Sequence, residues 1–172
     1  IDSTDLEAYV TLADVYFATE RFVDSRETLV KVINIDPRNT SALLKLARLY
    51  YIYKEYSTAI NFINRALEID PQLKDAYFIK GMSYAENGDT SRAIFNYQKS
   101  VEVDATFYDA WIELGNIYAA KSNVLAEQYY RNALMLDTNN THALYIMALY
   151  YQQTQQDFGK AEKLYNKILS IE

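Results

Sequence analysis

The sequence predicts an all-α protein made of five tandem helix–turn–helix units, and three markers that recur at one period predict it. Acidic residues close the phrases Ile35-Asp36, Ile69-Asp70, Val103-Asp104, Leu136-Asp137 and Ile171-Glu172, at spacings of 34, 34, 33 and 35. Tyr16, Tyr50, Tyr84, Tyr118 and Tyr151 recur at 34, 34, 34 and 33, and Ala8, Ala42, Ala76, Ala110 and Ala143 repeat the tyrosine spacing. Three independent residue types sharing one period mark a repeat architecture. The units run over approximately 6–39, 40–73, 74–107, 108–140 and 141–172, and the chain reads as a single repeat domain.

Each unit divides into two helices, A and B, because its apolar residues follow a helical spacing. Trp111, Leu114 and Tyr118 stand at i, i+3 and i+7, on one helix face, and Tyr130, Ala133 and Leu134 form a second series. The A helices are predicted over 6–18, 40–52, 74–86, 108–120 and 141–153, and the B helices over 22–34, 56–68, 90–102, 123–135 and 158–170. A small residue follows each marker tyrosine: Ser25, Ala59, Ala93, Ala126 and Ala161. The gap is 9 in the first three units, 8 in the fourth and 10 in the fifth. One residue is therefore lost near Lys121-Ser122-Asn123 and one gained within Gln152 to Gly159, both where a loop absorbs length changes. Pro37 and Pro71 separate units, since Pro cannot continue a helix.

Composition narrows the function. Of 172 residues 50% are hydrophobic and 15% aromatic, enough for a packed core, and 4 Gly with 2 Pro suit helices better than a turn-rich β fold. A net charge of −6 argues against a nucleic-acid partner, which calls for a basic stripe. With no cysteine there is no disulfide, zinc–thiolate site or thiol nucleophile. The most apolar stretch, Leu43 to Tyr56, is broken by Lys45, Arg48 and Lys54, so no membrane span is expected. The chain opens on Ile1 without a Met and closes on a repeat boundary, and it reads as a piece of a longer protein whose compartment stays open.

On these residues the sequence resembles the tetratricopeptide repeat family. The unit signature is a large residue, then Leu, Gly or Ala, and Tyr, followed by a small residue, an aromatic or aliphatic residue, Ala and Pro. The fourth unit has Trp111, Leu114, Gly115 and Tyr118, and the second has Leu43, Leu46, Ala47, Tyr50, Ala59, Ile63, Ala66 and Pro71. The third departs at Lys80, where Leu is usual, and at Ala105, where Pro is usual. The fifth, with Leu144, Met147, Ala148, Tyr151, Ala161 and Tyr165, is the most divergent. The resemblance implies a right-handed α-α superhelix, or solenoid, in which small residues let the A and B helices approach and stacking buries faces that one unit would expose.

The resemblance also implies a concave groove lined by A helices, and so a peptide or protein partner. Its positions fall on Val10, Asp14 and Phe17 in the first unit, and on Leu44, Lys45, Arg48 and Tyr51 in the second. The later units contribute Phe78 and Met82, then Ile112 and Asn116, then Tyr145 and Leu149. Val10, Leu44, Phe78, Ile112 and Tyr145 are equivalent and all apolar or aromatic. Such a stripe either meets a ligand or packs on the neighbouring A helix. Lys45 and Arg48 form a cationic spot, which either receives a carboxylate or is paired with Asp14 or Asp75. The set of Lys and Asn with which some family members grip a C-terminal carboxylate is missing, because Val10, Asp14, Ile112 and Ile146 occupy its places.

Residues with chemical potential read as structural. His142 is the one histidine and has no Asp, Glu or Cys at ligand spacing, so no metal is expected. Gly88 and Gly159 are isolated turn glycines without the pattern of a phosphate loop. Asn39-Thr40-Ser41 and Asn139-Asn140-Thr141 stand where an A helix begins and read as helix caps before glycosylation sites. No catalytic residue and no cofactor are expected. Alternatives to groove binding are a targeting arm for an activity elsewhere, or a homo-oligomer formed through the C-terminal repeat, where Leu164, Ile168 and Ile171 lack a polar cap.

Overall fold

A computed structural model describes residues 3–171; Ile1, Asp2 and the fifth acidic marker, Glu172, lie outside the described residues. Among the described residues the chain is all-α, without strands. The A helices are α1 (Ser3–Ala18), α3 (Thr40–Ile52), α5 (Lys74–Glu86), α7 (Tyr108–Ala120) and α9 (Thr141–Leu149). The B helices are α2 (Phe22–Ile35), α4 (Tyr56–Ile69), α6 (Thr90–Val103), α8 (Leu125–Leu136) and α10 (Phe158–Leu169). A π-helical segment, Tyr150–Gln155, continues α9. The residues gather into two compact units, 1–96 and 97–172, whose boundary falls within α6.

In the compact unit 1–96 α1 packs on α2 and α3 on α4. Ala13, Leu29, Val32, Ala42, Leu46 and Leu49 form one buried cluster, and Ala47, Ile63 and Ala76 another. The small residue Ser25 is buried, and its hydroxyl donates to the Ala13 carbonyl at 2.8 Å, tying α2 to α1 at their point of close approach. In the compact unit 97–172 α7 pairs with α8 and α9 with α10 around Ala126, Tyr130, Ala133, Ala143, Met147 and Ala161. Here Gly115 faces Tyr130: a Cβ at Gly115 would lie 2.3 Å from the ring carbon Cε1. The glycine is therefore required by the partner ring.

Each A helix ends in the same corner. Glu20, Lys54, Gly88 and Ser122 stand four residues after the marker tyrosine with φ of 59°, 62°, 81° and 51°. The next residue, Arg21, Glu55, Asp89 or Asn123, donates its N–H to the tyrosine carbonyl at 2.8–2.9 Å. The left-handed residue itself donates to the carbonyl three back. Together these two bonds are a Schellman motif, which satisfies carbonyls that a helix end leaves open.

The two length defects resolve against this corner. In the fifth unit the left-handed residue is Gln156 (φ 54°), five residues after Tyr151, and Asp157 donates to the Tyr151 carbonyl at 2.9 Å. The added residue lies upstream, in the π turn, so the A helix predicted to reach 153 is regular only to Leu149. In the fourth unit the missing residue lies after the corner. Ala126 donates to Asn123, three back, where Ser25, Ala59, Ala93 and Ala161 donate four back. A tighter first turn takes up the deletion, and regular α8 begins at Leu125, two residues later than its predicted start.

The acidic marker makes the turn between units. The carboxylates of Asp36, Asp70, Asp104 and Asp137 each accept the backbone N–H two residues on, at 2.8–3.0 Å. This is the Asx turn, for which a short carboxylate is suited. Asn39 and Asn140 cap α3 and α9 by accepting from Ala42 and Ala143, both at 3.0 Å.

Two stability predictions follow from the corner and from the Gly115 contact. Lys54→Gly relieves a left-handed side chain and is expected to stabilise by about 0.5–1 kcal/mol, whereas Gly88→Ala, with open space around its Cβ, should cost about 1–2 kcal/mol. Urea unfolding tests both, and a loss of stability in Lys54→Gly would refute the strain. Gly115→Ala drives a methyl into the Tyr130 ring and should cost about 1–3 kcal/mol. An unchanged thermal midpoint would show that the ring moves freely aside.

Candidate functional site

In the compact unit 1–96 the exposed faces of α1 and α3 meet along a staggered row. Lys45 of α3 donates to the Asp14 carboxylate of α1 at 2.6 Å, so the cation is ion-paired with Asp14 and not with Asp75. One turn on, the Arg48 guanidinium lies 5.3 Å from the centre of the Phe17 ring. Each pair joins an α1 residue to the α3 residue three short of its repeat equivalent, which is one helical turn of offset. Asp14, Phe17, Ser25, Lys45 and Arg48 surround a cavity of about 60 Å³. A larger recess of about 400 Å³ opens beside it between Leu6, Val10, Asp14, Asn39 and Lys45.

Aromatic rings extend this patch. Phe17 packs edge-on against Phe22 at 5.4 Å, Phe22 against Tyr53 at 6.4 Å, and Tyr51 against Tyr56 at 5.8 Å. Phe22 and Tyr56 were not among the predicted site residues. They are repeat equivalents that open α2 and α4, and an aromatic recurring at that register was the available signal.

The remaining predicted positions divide between surface and core. Val10 and Leu44 are half-buried and pack against the two clusters of the compact unit 1–96, and Phe78 and Met82 are half-buried on α5. In the compact unit 97–172 Ile112 is only 4% exposed and belongs to the core, the packing alternative of the two that the sequence left open. Asn116 accepts from the Tyr130 hydroxyl at 3.0 Å, which satisfies a phenol whose burial pushes its ionisation above the usual tyrosine range. Tyr145 is 50% exposed with its ring 6.2 Å from that of Tyr165, and Leu149 is half-buried.

His142 meets the Tyr108 hydroxyl, 3.0 Å from its Nδ1, and that hydroxyl also lies 3.2 Å from Asn140 Oδ1. Burial, with Asp109 and Asp137 adding to it, pushes Tyr108 up to about 12, so it is a neutral hydrogen-bonding group at ordinary pH. Among the described residues no three His, Asp or Glu side chains gather as a metal ion would require, and no helix is long and apolar enough to cross a membrane. On α10, Leu164 and Ile168 are half-buried and Leu164 packs on the core, while Leu169 is 75% exposed.

Comparison with known proteins places this architecture. Two family models, each described as tetratricopeptide repeat, match residues 10–74 and 74–107, together more than half of the chain. The chain belongs to the tetratricopeptide repeat family. No curated protein sequence matches it. Among solved structures it is similar to MamA at 22% identity, covering 96% of this chain and 91% of that one, with a TM-score of 0.78. PilF of Pseudomonas aeruginosa shares 18% identity over 97% of this chain and 76% of its own, with a TM-score of 0.85. YrrB, described as a TPR protein with an unusual peptide-binding site, shares 17% over 95% and 84%, with a TM-score of 0.69.

The departures from the tetratricopeptide signature have visible consequences. Lys80, in place of Leu, is half-buried, and burial pulls its ammonium below the usual lysine range. Ala105, in place of Pro, offers its carbonyl to the Trp111 indole N–H at 2.8 Å, which fastens the turn that a proline ring would otherwise stiffen.

The Lys45–Asp14 pair has half its carboxylate in solvent, so its coupling in a double-mutant cycle with Lys45→Met and Asp14→Asn is expected at about 0.2–1 kcal/mol, falling with added salt. A coupling well above that range and insensitive to salt would mean the pair is desolvated.

Proposed function

We propose that this array is a polypeptide-binding module and that the face formed by α1 and α3 is the contact surface. The observation that carries this is the Arg48–Phe17 contact set beside the Lys45–Asp14 pair, next to a recess of about 400 Å³. Arg48 remains exposed while stacked on an aromatic ring, and Arg with aromatic neighbours is the composition of interface hot spots. Because Asp14 already answers Lys45, the patch offers one strong cation among rings. It suits an apolar or aromatic segment with a single acceptor better than a densely acidic tail. The peptide-binding site in the description of YrrB, a structure of the same fold, supports the same reading.

Self-association is a second reading, favoured by one observation. The outer side of α1 exposes Tyr9, Leu12 and Val15, at 40%, 39% and 54%, beside a recess lined by Asp5 and Ala8. Sedimentation at rising concentration tests it, and a monomer throughout would remove it.

Peptides selected from a random library on the whole chain, then titrated calorimetrically, test the first reading. Arg48→Glu, an exposed change, and Phe17→Ala are expected to weaken the selected peptides about tenfold or more while helicity is unchanged. Peptides that bind both variants as they bind the parent would move the site off this face.

A further inference from the structure

The compact unit 97–172 holds a cleft of about 510 Å³ between α8 and α10, floored by α9. Its apolar surface comes from Leu134 and Met135 on α8, Leu144 and Met147 on α9 and Leu164 on α10. Met135 is 79% exposed there, a large apolar side chain in a recess and not in the core. Four cations rim the cleft: Arg131 from α8, and Lys160, Lys163 and Lys167 from α10. This concentration of positive charge sits on a chain of net charge −6.

The local acids offset only part of it. Glu127 pairs with Arg131 at 2.6 Å, and Asp157 lies 3.3 Å from Lys160. Lys167 donates to the Thr138 carbonyl at 2.6 Å, reaching across to the end of α8 without meeting a carboxylate. Lys163 is exposed, and its charge acts on Asp157, the carboxylate that already faces Lys160. The three lysines stand at i, i+3 and i+7, along about 10 Å of helix.

We propose that this cleft is a binding site for an acidic amphipathic segment of a partner protein. Apolar side chains of that segment seat on Leu134, Met135 and Leu164, and its carboxylates meet Lys163 and Lys167. The arrangement of charge selects this occupant. A line of cations over two turns matches several carboxylates on one segment, whereas the single head group of a fatty acid would satisfy one of them. A phosphate backbone would answer the lysines but leave the apolar floor uncovered. The site uses none of the residues of the α1–α3 face and does not depend on that reading.

Fluorescence anisotropy of the whole chain with a labelled helical peptide, its Leu face flanked by Glu, tests the proposal. Binding is expected, weakened about tenfold or more by Lys163→Glu and by Lys163→Glu with Lys167→Glu, by exchanging the peptide's Glu for Gln, and by high salt. Lys163 is exposed, so its single variant separates loss of the site from loss of fold; circular dichroism verifies this. Failure of the peptide to bind, equal binding by both variants, or salt-insensitive binding would overturn the proposal. So would binding of sodium decanoate without binding of the peptide, which would make the cleft a fatty-acid site.

Discussion

The corner between each A helix and its B helix is the constraint on which the rest of the molecule depends. In all five units a single residue turns the chain through the left-handed region, and the following N–H closes on the marker tyrosine's carbonyl. That closure fixes where helix B starts and which of its faces looks back at helix A. It is maintained at a cost, since four of the five left-handed residues, Glu20, Lys54, Ser122 and Gln156, carry side chains in a conformation that favours glycine. It is also maintained against length changes: the insertion in the fifth unit goes into a π turn before the corner, and the deletion in the fourth into a tightened turn after it. In the fourth unit the corner keeps both of its bonds, whereas in the fifth the N–H groups of Gln156 and Asp157 both close on the Tyr151 carbonyl.

This separates two roles of the recurring tyrosine. Its carbonyl performs the same task in every unit, a task that any residue could perform. Its ring has a different partner each time: Arg21 over Tyr16 at 4.3 Å, Phe62 stacked on Tyr50 at 5.4 Å, and Arg92 over Tyr84 at 5.4 Å. Tyr118 stacks on Tyr129 at 5.1 Å, and Lys160 lies 4.8 Å from the Tyr151 ring. A large flat ring with a polar tip adapts to all of these, which accounts for a constant residue type in variable surroundings.

The two proposed binding surfaces differ in how their charge is disposed. On α1 and α3 the lysine is matched by Asp14, leaving Arg48 to act from the top of an aromatic ring. In the α8–α10 cleft the positive charge exceeds the acids around it, and the burial that raises Glu127 is outweighed by Arg131 and Tyr151, which hold it ionised. This difference in charge is why an apolar segment is proposed for the first surface and an acidic one for the second.

The sequence by itself determined the helices and their order. Period, capping Asn39 and Asn140, the Asp turns and the small residues are local, and local chemistry sets helix ends. It also located both length defects to within a few residues. What it left open was decided by neighbours in space. Ile112 and Tyr145 share one repeat position, yet one is core and the other half exposed, because burial depends on what packs alongside. Lys45 had two acids in prospect, and only the packing of α3 on its neighbours chose Asp14. The cationic cleft draws Arg131 and Lys163 from helices 32 residues apart in the chain, a juxtaposition that no local pattern encodes and only tertiary packing creates.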